Sequence, residues 1–244
     1  MSLAITVYVR EGIVMAADSR LTLNQTVSQV DAQVVHLAVG QSDNVQKLFL
    51  SPNRVGISTF GDADIKGVPI AGFVDSFLAT KLPDNGQVEE TAKALLAFFR
   101  SNDPMPSTTF HVAGYTSSGA IAQQEVWLVD IRTNCCERKN PPEEQGATWG
   151  GEIDILSRLV NPVARVDASG KILMNLPDYP IPWGFFTLQD AIDFAIFATR
   201  STIDAIRFQP RAKTVGGPID VLVLQQNGCK WIQRKQLRGE SKES

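Results

Sequence analysis

The sequence is poor in the side chains on which most metal, redox and disulfide chemistry depends. Among its 244 residues are three cysteines and two histidines. Cys135 and Cys136 are adjacent and Cys229 is distant, an odd set without the spacing of metal ligands or of a disulfide framework. With only His36 and His111, and no Gly-x-Ser-x-Gly segment, a Ser-His-Asp triad has little support. A glycine-rich phosphate loop is also missing, so we expect reduced thiols and neither a metal nor a cofactor.

The sequence also lacks a charge stripe and a long apolar run. Its net charge is −3, and the 23 Lys and Arg residues are scattered along the chain. This distribution gives no electrostatic footprint for nucleic acid. No apolar run is long enough to span a membrane, and the start of the chain lacks the basic and apolar segments of a secretory signal. The sequence predicts a soluble, cytoplasmic protein that binds neither nucleic acid nor membrane.

What the sequence does contain is a regular alternation of strand and helix patterns. A hydrophobic content of 43% supports a large core, and we expect one domain over residues 1–238 with a disordered polar tail at 239–244. Period-two patterns predict strands, and 3.6-residue spacing predicts helices. The predicted strands cover 3–10, 13–17, 47–50, 54–59, 108–113, 125–131, 219–224 and 230–233, and the predicted helices cover 65–78, 88–99, 153–159 and 188–208.

The order of these elements predicts the fold class. Helices stand between antiparallel hairpins twice along the chain, which is typical of two sheets packed face to face with helices on each outer surface. We therefore expect an α+β protein built as a four-layer αββα sandwich.

Four segments, in the same order, resemble the proteasome β-type subunits. They are GIVMAADSRLT at 12–22, VQKLF at 45–49, GISTFGDAD at 56–64 and VGGPIDV at 215–221. With the matching strand and helix pattern, the likeness covers residues 2 to about 235. The resemblance implies a proteasome-like N-terminal nucleophile hydrolase that assembles into stacked homo-oligomeric rings and cleaves peptides or unfolded proteins inside them. Ring size, partner subunits and a regulatory ATPase are left open.

The family's catalytic residues match four positions. The family's first residue falls on Ser2, so the resemblance implies that Met1 is removed and that the freed amine of Ser2 is the base for its own hydroxyl. A nearby cation lowers the pKa of an α-amine toward neutral pH, and Lys47 matches that cation. Asp18 matches the acid that pairs with the lysine, and Gly61 matches the glycine whose N–H faces the oxyanion.

The resemblance also implies how a substrate binds. An extended peptide adds as a strand, and side-chain pockets give the selectivity. The matching positions are Thr22, Gly61 and Ala63 for the peptide backbone, and Val45, Phe49 and Thr59 for the first pocket. That pocket is apolar, which predicts cleavage after apolar residues.

The chain departs from the family at two places. Between Arg20 and Lys47 it carries extra residues, including SQVDAQVVHLA at 28–38, beside the predicted peptide groove. The later acid of the family is absent, because Ala212 and Val215 occupy the acid and serine positions, and we take Asp204 or Thr214 as substitutes. Two alternatives to an active peptidase therefore stay open, a catalytically inactive ring subunit and an amidase that acts on a small molecule.

Overall fold

The computed structural model describes residues 2–28, 34–83, 87–118 and 121–236. Its strands are β1 Leu3–Val9, β2 Gly12–Ala17, β3 Leu21–Ser28, β4 Val34–Ser42, β5 Leu48–Leu50, β6 Gly56–Gly61, β7 Asp64–Ile65, β8 Val68–Pro69, β9 Thr108–Ser118, β10 Ile121–Asp130, β11 Cys135–Arg138, β12 Gly146–Gly151, β13 Ala164–Val166, β14 Ile172–Asn175, β15 Asp220–Gln225 and β16 Gly228–Gln233. Its α-helices are α1 Ile70–Thr80, α2 Val88–Arg100, α3 Asp154–Val160 and α4 Leu188–Arg207. Met1 and the tail predicted at 239–244 lie outside the described residues.

Two five-stranded antiparallel sheets form the centre of the fold. The first has the strand order β12-β1-β2-β15-β16, and the second has the order β11-β10-β9-β6-β5. In the first sheet the start of β1 lies between two neighbours, with Leu3 opposite Gly151 and Ala4 opposite Ala17. This register brings the ends of β2 and β12 to the residue at which β1 begins.

Strand β1 is apolar on both faces because it is covered from both sides. All seven of its residues are buried. Successive side chains of a strand point to opposite faces. Ile5, Val7 and Val9 pack in the cluster that contains the buried face of α4, whereas Ala4 and Tyr8 pack between the two sheets.

Helices cover the outer face of each sheet. Val74 of α1 and Leu95 of α2 belong to the same buried cluster as Phe110 of the second sheet. On the first sheet, α4 begins with a capping box between Thr187 and Asp190 and buries Ala195 against the strands. The predicted αββα sandwich is therefore the observed fold.

Several predicted boundaries need correction. The first helix begins at Ile70, not at 65, because Lys66 and Gly67 both have positive φ values, 52° and 79°, and form the turn between β7 and β8. The sequence patterns also missed β11, β12 and the β13–β14 hairpin. No helix among the described residues is long and apolar enough to cross a membrane.

Candidate functional site

The carboxylate of Asp18 is the centre of a buried hydrogen-bond network. Asp18 directly follows β2 and is completely buried. Its Oδ1 accepts hydrogen bonds from Lys47 Nζ at 2.9 Å and from the backbone N–H of Leu3 at 3.0 Å. Its Oδ2 accepts from the backbone N–H groups of Arg20 at 3.1 Å and Gly216 at 3.0 Å. One carboxylate therefore joins the start of β1, the end of β2, the residue before β5 and the residues before β15.

Ser2 is held at this network through its main chain. The N–H of Leu3 binds Asp18, and the carbonyl oxygen of Ser2 accepts a hydrogen bond of 2.8 Å from the N–H of Glu152. Gly151 allows this approach, because a Cβ atom on Gly151 would lie 1.7 Å from the Ser2 carbonyl oxygen. The φ of Gly151 is 95°, which also favours glycine. The peptide group that follows the predicted nucleophile is thus held through both its N–H and its carbonyl oxygen.

Lys47 is a buried cation with a weakened hold on its proton. Its side chain is 6% exposed and forms an ion pair with Asp18, and it also donates a hydrogen bond to the carbonyl oxygen of Arg20. Burial lowers the pKa of Lys47 below its usual value, although the charge of Asp18 and its hydrogen bond act in the opposite direction. A buried lysine of this kind can exchange a proton with a neighbouring amine or hydroxyl.

A second ion pair, between Arg20 and Asp43, explains why residues 216 and 217 are both glycine. Arg20 donates to Asp43 through Nε at 2.6 Å and through Nη2 at 2.8 Å. A Cβ atom on Gly216 would lie 2.4 Å from the guanidinium carbon of Arg20, and one on Gly217 would lie 2.7 Å from the Asp43 carbonyl oxygen. The hydrogen bond with Arg20 also lowers the pKa of Asp43. Both glycines are needed because the ion pair lies directly against their backbone.

Glu152 is the residue that the sequence analysis missed. It is buried, and its carboxylate accepts a hydrogen bond from Thr214 Oγ1 at 2.7 Å and another from Arg211 Nη1 at 3.1 Å. Its own N–H binds Ser2, so an acid is present beside the predicted nucleophile. Thr214, one of the two predicted substitutes for the missing acid, lies in this network. Asp204, the other, is exposed on α4 and belongs to no hydrogen bond or ion pair found among the described residues.

Gly61 has a structural requirement of its own. It ends β6 with a φ of 106°, and a Cβ atom there would lie 2.4 Å from the carbonyl oxygen of Ser107. Close packing against the loop before β9 is therefore sufficient to explain this glycine. Its predicted role toward an oxyanion stays a prediction.

A narrow pocket opens beside Ser2. Its volume is about 20 Å³, room for a single water molecule. Ser2, Leu21, Val45, Gln46, Lys47, Thr59, Phe60, Asp62, Ala63, Ile70 and Ala71 line it. The buried hydroxyl of Thr59 has no hydrogen-bond partner among the described residues, so it is available to a water molecule or a ligand.

Three predicted substrate residues, Thr22, Phe49 and Gly61, lie outside the pocket lining. Phe49 belongs to the cluster buried under α1 and α2, and the prediction that it lines the first pocket does not fit this position. The neighbouring Leu48 packs between the sheets instead, as the alternation of a strand requires. Thr22 pairs with Gln41 in the β3–β4 hairpin, and its hydroxyl donates to the carbonyl oxygen of Lys213 at 3.3 Å.

A larger cavity lies elsewhere among the described residues. It has a volume of about 720 Å³ and is lined by the far end of β1, the β15–β16 turn and the segment around Gln145. Amide and charged side chains both line its walls, among them Gln124, Arg10 and Glu11. Neither Ser2 nor Lys47 contributes to it. The Ser2 site therefore borders the small pocket and not this cavity.

The two helix-covered sheets and their strand order define the class of the fold, which is the N-terminal nucleophile fold in its proteasome-like form. Two of the solved structures to which the chain is similar are of Anbu from Hyphomicrobium sp. strain MC1. One has 15% sequence identity and a TM-score of 0.55, over 96% of this chain and 88% of that chain. A second, of a Gly-1 mutant of Anbu, has 14% identity and a TM-score of 0.59, over 99% and 89%. No family model matches the sequence, and no curated protein matches it.

These findings correct the identification of the chain as a proteasome β-type subunit. The matching solved structures named above are of Anbu, and no family model supports the assignment to β-type subunits. The four motifs are short segments common to one architecture. They therefore predicted the fold correctly but assigned the chain to the wrong family. At 14–15% identity the likeness shows the fold alone.

Proposed function

We propose that this protein is an N-terminal nucleophile hydrolase that cleaves peptide bonds, with Ser2 as the nucleophile after removal of Met1. The observation that carries the proposal is the shared carboxylate of Asp18, which binds the Lys47 ammonium at 2.9 Å and the N–H of Leu3 at 3.0 Å. The Lys47 ammonium and the backbone N–H of Leu3, the residue after the nucleophile, therefore bind the same carboxylate. Ser2 and Lys47 also line the same pocket, which supports the assignment.

In the proposed reaction the α-amine of Ser2 takes the proton of its own hydroxyl while Oγ attacks the carbonyl carbon of the peptide bond. The tetrahedral oxyanion is stabilised by the N–H of Gly61. When the C–N bond breaks, the proton passes from the α-ammonium to the leaving amine, and an ester with Ser2 remains. Water then hydrolyses the ester, with the same amine as base.

The charges around Ser2 fit this division of roles. The positive charge of Lys47 disfavours a second positive charge on the amine, which lowers the pKa of that amine. Asp18 keeps the ammonium in place, and Glu152 fixes the Ser2 carbonyl group through its N–H. Glu152, supported by Thr214 and Arg211, takes the part of the acid that the sequence lacked.

The state of the first residue is tested by intact-mass measurement on the purified protein. Loss of Met1 is the expected result, because Ser is small enough at the second position to permit its removal. Retention of Met1 leaves Ser2 without a free amine and rules out the mechanism.

The nucleophile is tested by incubation with a β-lactone or a peptide epoxyketone, followed by peptide mapping. We expect one adduct on Ser2 in the wild type, none in Ser2→Ala, and an adduct again in Ser2→Thr, whose hydroxyl and amine are both retained. Ser19→Ala is the matched control, since it removes a buried hydroxyl near the same carboxylate without touching the chain terminus. An adduct that persists in Ser2→Ala contradicts the assignment.

One observation favours a second candidate, a catalytically silent subunit. The pocket beside Ser2 holds about 20 Å³, which is too small for the side chain of a peptide. A peptidase with this site must open the pocket around Leu21 and Phe60 when substrate binds. Absence of any adduct on a processed, folded chain favours the silent subunit. An adduct with a small β-lactone but not with a peptide epoxyketone favours a small-molecule amidase.

We also propose that the chain assembles with copies of itself in a ring. The support is an exposed apolar arm, defined as residues 161–187 between α3 and α4, which includes the β13–β14 hairpin. Ile172 and Leu173 are neighbours on one strand and are 61% and 58% exposed, so both faces of the hairpin are apolar and open. Tyr179 and Phe185 are 85% and 88% exposed. Apolar surface of this extent marks a protein contact.

Assembly is measured by light scattering coupled to size-exclusion chromatography. We expect an oligomer for the wild type and a smaller species for Leu173→Asp, with unchanged circular dichroism. Asn175→Asp is the matched control, because it adds the same charge to the same exposed strand without removing an apolar side chain. A monomeric wild type, or an unchanged mass in Leu173→Asp, contradicts the role of the arm.

A further inference from the structure

A second buried Asp–Lys pair lies next to the Asp18–Lys47 pair. Asp220 begins β15 and accepts a hydrogen bond of 2.7 Å from the backbone N–H of Lys235. The side-chain ammonium of Lys235 also binds Asp220. The two side chains are 3% and 9% exposed, so both charges are removed from water. Such a pair is costly to bury, which calls for an explanation other than stability.

The sheet register places this pair beside the site. Asp220 lies directly opposite Ala17, the residue before Asp18. Directly opposite residues of an antiparallel pair share one face of the sheet. Ala17 packs between the two sheets together with Leu48, which follows Lys47. Asp220 therefore lies across the sheet from the residue that precedes Asp18, the partner of Lys47.

We propose that the Asp220–Lys235 pair is a positioning element of the Ser2 site, which holds a second ammonium ion beside Lys47 and thereby sets how readily Lys47 releases its proton. This role rests on the function proposed for Ser2. Asp220 accepts hydrogen bonds from both the backbone N–H and the side-chain ammonium of Lys235, which fixes the position of that ammonium.

The charges around Lys47 come from several elements. Asp18 and Arg20 follow β2, Asp43 follows β4, and Lys235 follows β16. Asp18 favours the protonated form of Lys47, whereas the positive charges of Lys235 and Arg20 lower its pKa. Arg20 is already paired with Asp43 at 2.6 Å, and Asp18 is shared with three backbone N–H groups. Lys235 is thus the charge whose effect on Lys47 can be tested without altering Asp18 or Arg20.

The chain offers closely matched variants. Lys235→Gln removes the charge and keeps a donor for Asp220, whereas Lys235→Arg keeps the charge. Arg234→Gln removes the same charge one residue earlier, where the side chain is exposed and stacks on Trp231 at 4.8 Å. Lys235→Met is a second neutral variant, of similar volume, for use if the glutamine is not tolerated.

The first measurement is the titration of Lys47 by ¹³C NMR of lysine-labelled full-length protein, with the resonance assigned by Lys47→Arg. In Lys235→Gln we expect the pKa of Lys47 to rise, since a neighbouring like charge is lost. In Lys235→Arg and Arg234→Gln it stays at the wild-type value. No rise in Lys235→Gln, or an equal rise in Arg234→Gln, overturns the proposal.

The second measurement is the rate of β-lactone labelling of Ser2 as a function of pH. The acid limb of the profile moves to higher pH in Lys235→Gln and stays in place in both controls. If Ser2 is not labelled in any variant, the proposed function fails while the Lys47 titration still tests this pair. If Ser2 is labelled but Lys235→Gln changes neither the pKa of Lys47 nor the acid limb of the labelling profile, the inference about Asp220 and Lys235 is wrong while the proposed function stands.

Discussion

Because His111 is buried, we predict that the folded protein loses stability in mild acid. The His111 side chain is completely buried between the sheets, with Nδ1 at 3.2 Å from Thr6 Oγ1 and the ring edge-on to Phe60 at 5.2 Å. Nε2 has no hydrogen-bond partner among the described residues. Burial, with a smaller effect of the charge on Lys139, lowers the pKa of His111 to about 3. The imidazole is therefore neutral in the folded protein at every pH above that value.

The magnitude follows from linkage between protonation and folding. In the unfolded chain the pKa of His111 returns to 6.5, so between pH 6.5 and about 3 only the unfolded state binds the proton. Stability is greatest above pH 6.5 and falls as the pH is lowered. At about 1.4 kcal/mol per pH unit, this one histidine lowers the free energy of unfolding by about 2.7 kcal/mol at pH 4.5.

The assay is urea unfolding followed by tryptophan fluorescence, at fixed protein concentration, from pH 7.5 to pH 4.5. Wild type and His111→Asn are compared by their change in unfolding free energy over this range, and the variant should lose about 2.7 kcal/mol less. Thr6→Val is the matched control, since it removes the hydrogen-bond partner and leaves the titrating group in place. Parallel curves for wild type and His111→Asn would refute the reasoning.

Two further predictions concern the site. Lys47→Ala leaves Asp18 buried without its cation, so we expect a loss of about 3–5 kcal/mol in urea unfolding and no labelling of Ser2 by a β-lactone; wild-type labelling in this variant contradicts the role of the lysine. Gly151→Ala puts a Cβ atom 1.7 Å from the Ser2 carbonyl oxygen, so it should lower both the melting temperature and the labelling rate. Gly170→Ala is its control, with a φ of 83° and open space around it, and it should affect neither labelling nor, beyond about 1 kcal/mol, stability.

The sequence predicted the sandwich because its central strands carry their own signature. β1 and β2 are buried on both faces, and such strands read as nearly continuous apolar runs joined by a short turn. The β13–β14 hairpin had a local signal that was overlooked. Asp167 accepts hydrogen bonds from the N–H groups of Ser169 and Lys171, the usual role of Asp at the start of a turn.

The site was only partly predictable from the sequence, because some of its residues lie far apart along the chain. Asp18 and Lys47 were found because each lies in a short recognisable segment, and the fold brings them together at 2.9 Å. Glu152 could not be found in that way. Its place beside Ser2 depends on the pairing of β12 with β1, and no local pattern reports which distant strand will lie next to the start of the chain.

The two buried Asp–Lys pairs bear on the choice between an active and a silent protein. Replacing a buried ion pair with apolar residues of similar volume is often neutral or stabilising by about 1–4 kcal/mol, so a buried pair is weak evidence of a role in stability. Both lie where β1 begins, and one carboxylate also binds the N–H that follows Ser2. A subunit that supplied only contact surface would need the apolar arm at 161–187, which takes no part in this network. Four buried charges gathered at the start of β1 therefore favour a site that moves protons at Ser2.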